Sequence, residues 1–197
     1  MTADLIFAQH LDQHIRAAQA MPELAGPVGR AARLLVSCLA GGGTVYTCGN
    51  GGSAADAQHL TGELIGRYRR ERRPLRAVTL TTDPTVWTCV ANDYGAEEVF
   101  ARQVAALAGP GDAVVGFTTS GESPNVVAAL RAARSRGAGT VLFGSARGGR
   151  AARYADCLLL APTDLTPRAQ ELHTLMLHMV SDAVDAWAAG ELEEGDL

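Results

Sequence analysis

The chain has 197 residues, 47% hydrophobic and 19% charged, which is enough for one domain with a substantial core. A net charge of −4 argues against holding nucleic acid by overall positive charge, and no run approaches the roughly 18 apolar residues of a membrane helix. The N-terminal "MTADLIFAQHLDQHIRAAQA" mixes apolar and polar residues unlike a signal peptide, so a cytoplasmic protein is expected.

Leu5, Ile6, Ala8, Leu11 and Ile15 recur at helical spacing, predicting a first amphipathic helix to about Ala20. "MPELAGP" breaks it, and Pro27 suits the first turn of a second helix that ends at Gly41 to Gly43. Residues 1–43 thus read as a helical region ahead of an α/β core over 44–197, within one domain. In that core "TVYTC", "RAVTL", "DAVVGF", "TVLFG" and "DCLLLAP" alternate with helical segments. Each is short and nearly continuously apolar, as parallel strands covered on both faces are, so the expected fold is a three-layer α/β sandwich. "TPRAQELHTLMLHMVSDAVDAWAAG" reads as one long final helix with Thr166 as N-cap, Pro167 at its first position and Gly190 near its end.

Two strand-to-helix turns look like anion sites. In "CGNGGSAAD" the glycines let the chain bend as a strand ends, Ser53 and Asp56 resemble a capping box, and a helix N-terminus opens outward. Gly49 to Ala54 also fits G-x-G-x-x-A, but Asp83 falls about thirty residues beyond it, later than the roughly twenty of a dinucleotide site. In "TTSGESPN", Ser123 caps the next helix, Pro124 takes its first position, and Thr118, Thr119, Ser120 and Ser123 crowd the turn with hydroxyls suited to a phosphate monoester. Two such turns on one sheet favour a sugar phosphate over a dinucleotide.

His59 and Glu63 share one helix face at i and i+4, as a surface pair, a metal site or an acid/base pair. Gln170, His173 and His178 interrupt the apolar final helix, where each needs a hydrogen bond, a metal or solvent. Gln170 and His178 are eight residues apart, about 12 Å in rise and about 80° in direction. Either long side chains lean together or one comes from a neighbouring subunit, which points to an active site at an oligomer interface. Cys38, Cys48, Cys89 and Cys157 form no CxxC pair and read as buried free thiols. "RYRRERRPLR", Arg67 to Arg76, reads as a solvated loop, a subunit contact or part of an anionic-substrate entrance.

"CGNGGSAADAQHLTGELIGRY", "TSGESPNV" and "TPRAQELHTLMLH" together resemble the phosphoheptose isomerases of the sugar isomerase (SIS) domain family, over nearly the whole chain. The resemblance implies a SIS fold with a five-stranded parallel sheet, a homotetramer with active sites at subunit interfaces, and one zinc ion per subunit. It maps the zinc ligands onto His59, Glu63, Gln170 and His178. It places the phosphate and sugar contacts on Asn50, Gly51, Gly52, Ser53, Glu63, Arg67, Asn92, Asp93, Thr118, Thr119, Ser120, Ser123 and Gln170. Glu122 stands where asparagine is frequent and is expected to point away from a phosphate.

The implied reaction converts sedoheptulose 7-phosphate to D-glycero-D-manno-heptose 7-phosphate through an enediol, for heptose biosynthesis. Glu63 is the expected base between C1 and C2, and His178 the acid serving the sugar oxygens. A non-catalytic SIS scaffold like the DnaA-associating factor, or an isomerase of another sugar phosphate, are the alternatives. Neither a nucleic acid nor a membrane is expected as a partner.

Overall fold

The computed structural model describes residues 2–21 and 24–197; Pro22 and Glu23, in the expected helix break, lie outside the described residues. The five apolar runs form strands β1 (Val45–Gly49), β2 (Ala77–Thr79), β3 (Ala113–Thr118), β4 (Gly139–Gly144) and β5 (Cys157–Leu160). They pair all-parallel in the order β2-β1-β3-β4-β5. β1 and β3 are buried at every position, which is why their sequences are continuously apolar instead of alternating.

Helices α2 (Ala25–Ala40), α3 (Gly52–Ile65) and α7 (Thr166–Ala188) cover one face of the sheet, and α5 (Ala101–Leu107) and α6 (Pro124–Ser135) the other. β3 feeds both layers, because successive side chains point to opposite faces. Val115 and Phe117 pack with Leu60 and Leu172, whereas Val114 packs with Leu130 and Phe100. Each such fully buried side chain contributes about 1.5–3 kcal/mol over an exposed one. The fold is the expected three-layer α/β sandwich around a five-stranded parallel sheet.

The first helix, α1 (Ala3–Gln19), rests on α7, where the Arg168 guanidinium donates to the His10 carbonyl at 2.6 Å and His14 pairs with Glu171 at 2.7 Å. Its apolar stripe is not buried within the chain: Phe7 is 67% and Leu11 61% exposed.

Several local expectations are corrected. Ser53 is not a cap: Gly51 holds the N-cap position of α3 at φ +56°, with no side-chain capping bond, so the Ser53–Asp56 box does not form. A left-handed residue makes the turn there, and only glycine adopts that conformation freely. Ser123 and Pro124 do take the N-cap and first positions of α6, but the Ser123 hydroxyl bonds to Thr118 instead of capping. The last helix starts one residue early: Leu165 takes the N-cap position without a side-chain cap, and Thr166 is already inside it. Asp83 is the N-cap of α4 (Pro84–Tyr94), accepting from the Thr85 and Val86 amides, which accounts for it without any ribose. Of the cysteines Cys38, Cys48 and Cys157 are buried, but Cys89 on α4 is exposed. Burial pushes the Cys48 thiol up to about 12, which makes it unreactive.

Candidate active site

β1 and β3 are neighbours, yet the chain leaves β1 through α3 on one face and β3 through α6 on the other. This divergence opens a crevice at the carboxyl ends of the strands, where parallel sheets bind ligands. Both glycine- and hydroxyl-rich turns stand there side by side, with Gly49 in register with Phe117. The Asn50 and Asn125 amides tie them together by two reciprocal hydrogen bonds of 2.8 Å, across 75 residues of sequence.

In the second turn the Thr118 hydroxyl lies 3.0 Å from that of Ser123 and 3.3 Å from that of Ser120. Thr119 is half-buried beside them. Glu122 turns away to pair with Arg150, as expected, and that pairing holds its carboxyl below the usual range. Ser53 lies buried in the first turn of α3. Asn50, Ser123 and Asn125, with Trp87 and Glu97, line a cavity of about 390 Å³ against the turns.

α3 and α7 lie side by side in matched register. Gln170 packs against Gly52, where an added Cβ would fall 2.5 Å from its amide nitrogen. One turn on, the Thr174 hydroxyl donates to Asp56, and a further turn on His178 meets His59. The His59 and His178 Nε2 atoms are 3.3 Å apart, and His59 Nε2 is 3.1 Å from Glu63 Oε1. One ligand atom from each of His59, Glu63 and His178 lies within 4.8 Å of the other two. Two ring nitrogens facing one another share a single proton at most, so a cation suits the three atoms better than their own hydrogen bonds do.

Gln170, the fourth expected ligand, is placed by its contact with Gly52. The matched register leaves it beside the first turn of α3, about 12 Å of helix rise from His178. His173 is a core residue, fully buried, with Nε2 at 2.9 Å from the Gly144 carbonyl, and burial lowers its pKa. Arg67, exposed just past α3, pairs with Glu71. Asn92 and Asp93 are exposed on α4 and bonded to one another. The chain therefore gathers the phosphate turns and the trio, while the hydrogen bonds of Arg67 and Asn92 run to their own neighbours in sequence.

Three residues at the site are not marked in the sequence for the contacts they make. Asn125 is an ordinary residue after Pro124 until its partner Asn50 is known. The Tyr68 ring stacks on His178 at 5.3 Å between centroids, which nothing in "RYRR" announces. Asp56 is 7% exposed and its Oδ2 has no hydrogen-bond partner.

Burial raises the Asp56 pKa to about 6, and the Thr174 hydroxyl and nearby His59 only partly offset it. A folded pKa above the unfolded 3.8 makes a favourable contribution that is complete below 3.8 and lost as pH rises through about 6. Asp56→Asn removes the cost of the ionised group. In metal-free protein it is expected to stabilise the fold by roughly 1 kcal/mol at about pH 8, a gain that thermal melts should show shrinking toward about pH 4.

The SIS domain family model matches residues 9–145. A phosphoheptose isomerase of Bordetella avium is 46% identical over 178 residues, covering 89% of this chain and 90% of that one. The chain belongs to the phosphoheptose isomerase family of SIS domain proteins. Another relative of that name, from Solidesulfovibrio magneticus, is 52% identical over 80% of this chain and 77% of its own. The solved phosphoheptose isomerase of Neisseria gonorrhoeae superposes with a TM-score of 0.89 at 41% identity, covering 94% of this chain and all of that one. That agreement extends to the five-stranded parallel sheet, so the SIS fold of the family is the fold of this chain.

Proposed function

We propose that the protein is an aldose–ketose isomerase that converts sedoheptulose 7-phosphate to D-glycero-D-manno-heptose 7-phosphate through an enediol, for heptose biosynthesis in the cytoplasm. The observation that carries this reading is the pairing of two phosphate-type turns at one switch point with the His59, Glu63 and His178 trio on the adjoining helices. Membership of a family whose relatives bear that activity in their names supports it. Among the described residues no helix is long and apolar enough to cross a membrane.

In this proposal the phosphate sits on Ser53, Thr118, Thr119, Ser120 and Ser123, with the backbone of Asn50, Gly51 and Gly52 facing it. Hydroxyls and amides donate to its oxygens without fixing excess charge. Glu63 takes the proton from C1 and returns it at C2, or the reverse, and His178 exchanges a proton with the sugar oxygens. General acid–base help of this kind is worth about 10²–10⁴-fold.

The trio fits zinc, which takes neutral imidazoles and a carboxylate as ligands. When bound it supplies Lewis-acid polarisation of the sugar oxygens. Gln170, the fourth expected ligand, completes such a site from a second copy of the chain in a homotetramer whose active sites lie at subunit interfaces. Arg67, Asn92 and Asp93 join the site in the same way. Ile65, Leu175 and Met179 support that assembly: all three are exposed on α3 and α7, the helices that carry the trio, as are Phe7 and Leu11 on α1. Large exposed apolar groups clustered on the same elements mark association surfaces.

Comparing sedoheptulose 7-phosphate with a hexose 6-phosphate tests the substrate. The heptose phosphate should be favoured in kcat/KM by about tenfold or more, since a pocket sized for the longer chain loses contacts with the shorter one. Equal or better use of the hexose phosphate would overturn this assignment, and binding without turnover of either would point to the scaffold reading.

A further inference from the structure

We propose that Asp185 is a positioning residue for the active site: it gathers the arginine-rich segment 67–73 into a strap that seats Tyr68 on the His178 ring and holds the end of α3 bearing Glu63. Asp185 lies two turns beyond His178 on the same side of α7, and its side chain is 0% exposed. Its carboxylate accepts from the Tyr68, Arg69 and Arg70 amides at 3.4, 2.9 and 2.6 Å, and from Arg72 Nε at 2.8 Å.

Two consequences reach the site. The first runs through Tyr68, whose amide is held on Asp185 while its ring stacks on His178 at an interplanar angle of 29°. An aromatic face packed on an imidazole fixes its rotamer and so the direction of its Nε2. The second runs through Arg72, itself 1% exposed. It donates to the Glu63 carbonyl at 2.6 Å and to the Leu64 carbonyl at 2.8 Å. These are among the last carbonyls of α3, which have no partner inside the helix. The strap therefore caps α3 one end-turn from the Glu63 side chain, and Arg70 fastens its outer edge to Asp182 and Glu191.

Burial alone would raise the Asp185 pKa, but the three backbone donors and the Arg72 guanidinium outweigh it and hold the carboxyl below its ordinary value. The arginine run is thus accounted for in part. Of the six arginines, Arg70 and Arg72 are ion-paired to α7 and Arg73 lies over its Trp187, so the segment is not wholly a solvated loop.

The test uses the full-length protein with Tyr68→Leu, Tyr68→Phe and Asp185→Asn. The first readout needs no substrate: the ring protons of His178, assigned with His178→Gln, are followed by NMR. They should move downfield in Tyr68→Leu and in Asp185→Asn, where the shielding ring leaves or loosens, and stay in place in Tyr68→Phe. The second readout is kinetics on sedoheptulose 7-phosphate. Tyr68→Leu should lower kcat by about 10- to 100-fold with KM within about twofold, and Tyr68→Phe should restore most of the rate. Unmoved His178 resonances in Tyr68→Leu or in a folded Asp185→Asn overturn the inference, as does an equal loss of kcat in Tyr68→Phe, which would assign the work to the hydroxyl. The kinetic arm rests on the isomerase reading; a wild type that folds but does not turn over sinks that reading alone and leaves the NMR arm to decide the strap. Where Asp185→Asn does not fold, Arg72→Gln, which removes the guanidinium held by Asp185, takes its place with the same expected shift.

Discussion

Glu63→Gln is expected to lower kcat on sedoheptulose 7-phosphate by about 10³-fold while leaving KM close to that of the wild type. The amide keeps the size of the carboxylate and can still face His59 Nε2, now 3.1 Å from Glu63 Oε1, so the fold and the neighbouring groups are little disturbed. What is lost is the ability to accept a proton from carbon. A neutral amide is also a poorer metal ligand than a carboxylate, so zinc content is measured alongside rate to separate the two effects. Binding should survive because the phosphate turns are built from other residues, linked through Asn50 and Asn125. A variant with raised KM and unchanged kcat would mark Glu63 as a binding group only.

Asp185→Ala should destabilise the fold by about 3–5 kcal/mol, the cost of leaving one partner of a buried ion pair uncompensated. The Arg72 side chain is 1% exposed, and three backbone amides lose their acceptor together with it. For a chain of this size the melting temperature should fall by about 10 °C. The pH dependence has a definite sign. Because the folded carboxyl is held below its ordinary 3.8, the native state binds fewer protons there than the unfolded chain. Its contribution is therefore present above the ordinary value and lost as pH falls through the folded one. Thermal melts from neutral to acid pH should show wild type and Asp185→Ala converging in acid. Curves that stay parallel would show that the carboxylate is not what holds the strap.

The sheet was legible because parallel strands buried on both faces must be continuously apolar, and "TVYTC" and "DAVVGF" have little other use. The two turns were legible for a similar reason: glycine and hydroxyl residues cluster where a backbone bends beside a ligand. Helix starts were less so. Ser53 looks like a cap, but the left-handed Gly51 makes the turn and leaves the serine inside the helix. The composition around such a turn does not reveal which residue carries the unusual dihedral.

Long-range pairings were the least legible. Arg72 and Asp185 are 113 residues apart, so a run of arginines reads as solvated when its partner is out of view. The trio was half legible: His59 and Glu63 declare themselves by spacing, while His178 joins only because α3 and α7 lie in matched register. That same register separates Gln170 from His178, as their eight-residue spacing on one straight helix implied.

The most direct measurement is proton NMR of the purified, zinc-supplied protein mixed with sedoheptulose 7-phosphate. Anomeric signals of the aldose product should grow with time in proportion to enzyme and fail to appear with His178→Gln. A spectrum that stays that of the ketose, from a protein shown by its melt to be folded, would contradict the isomerase reading.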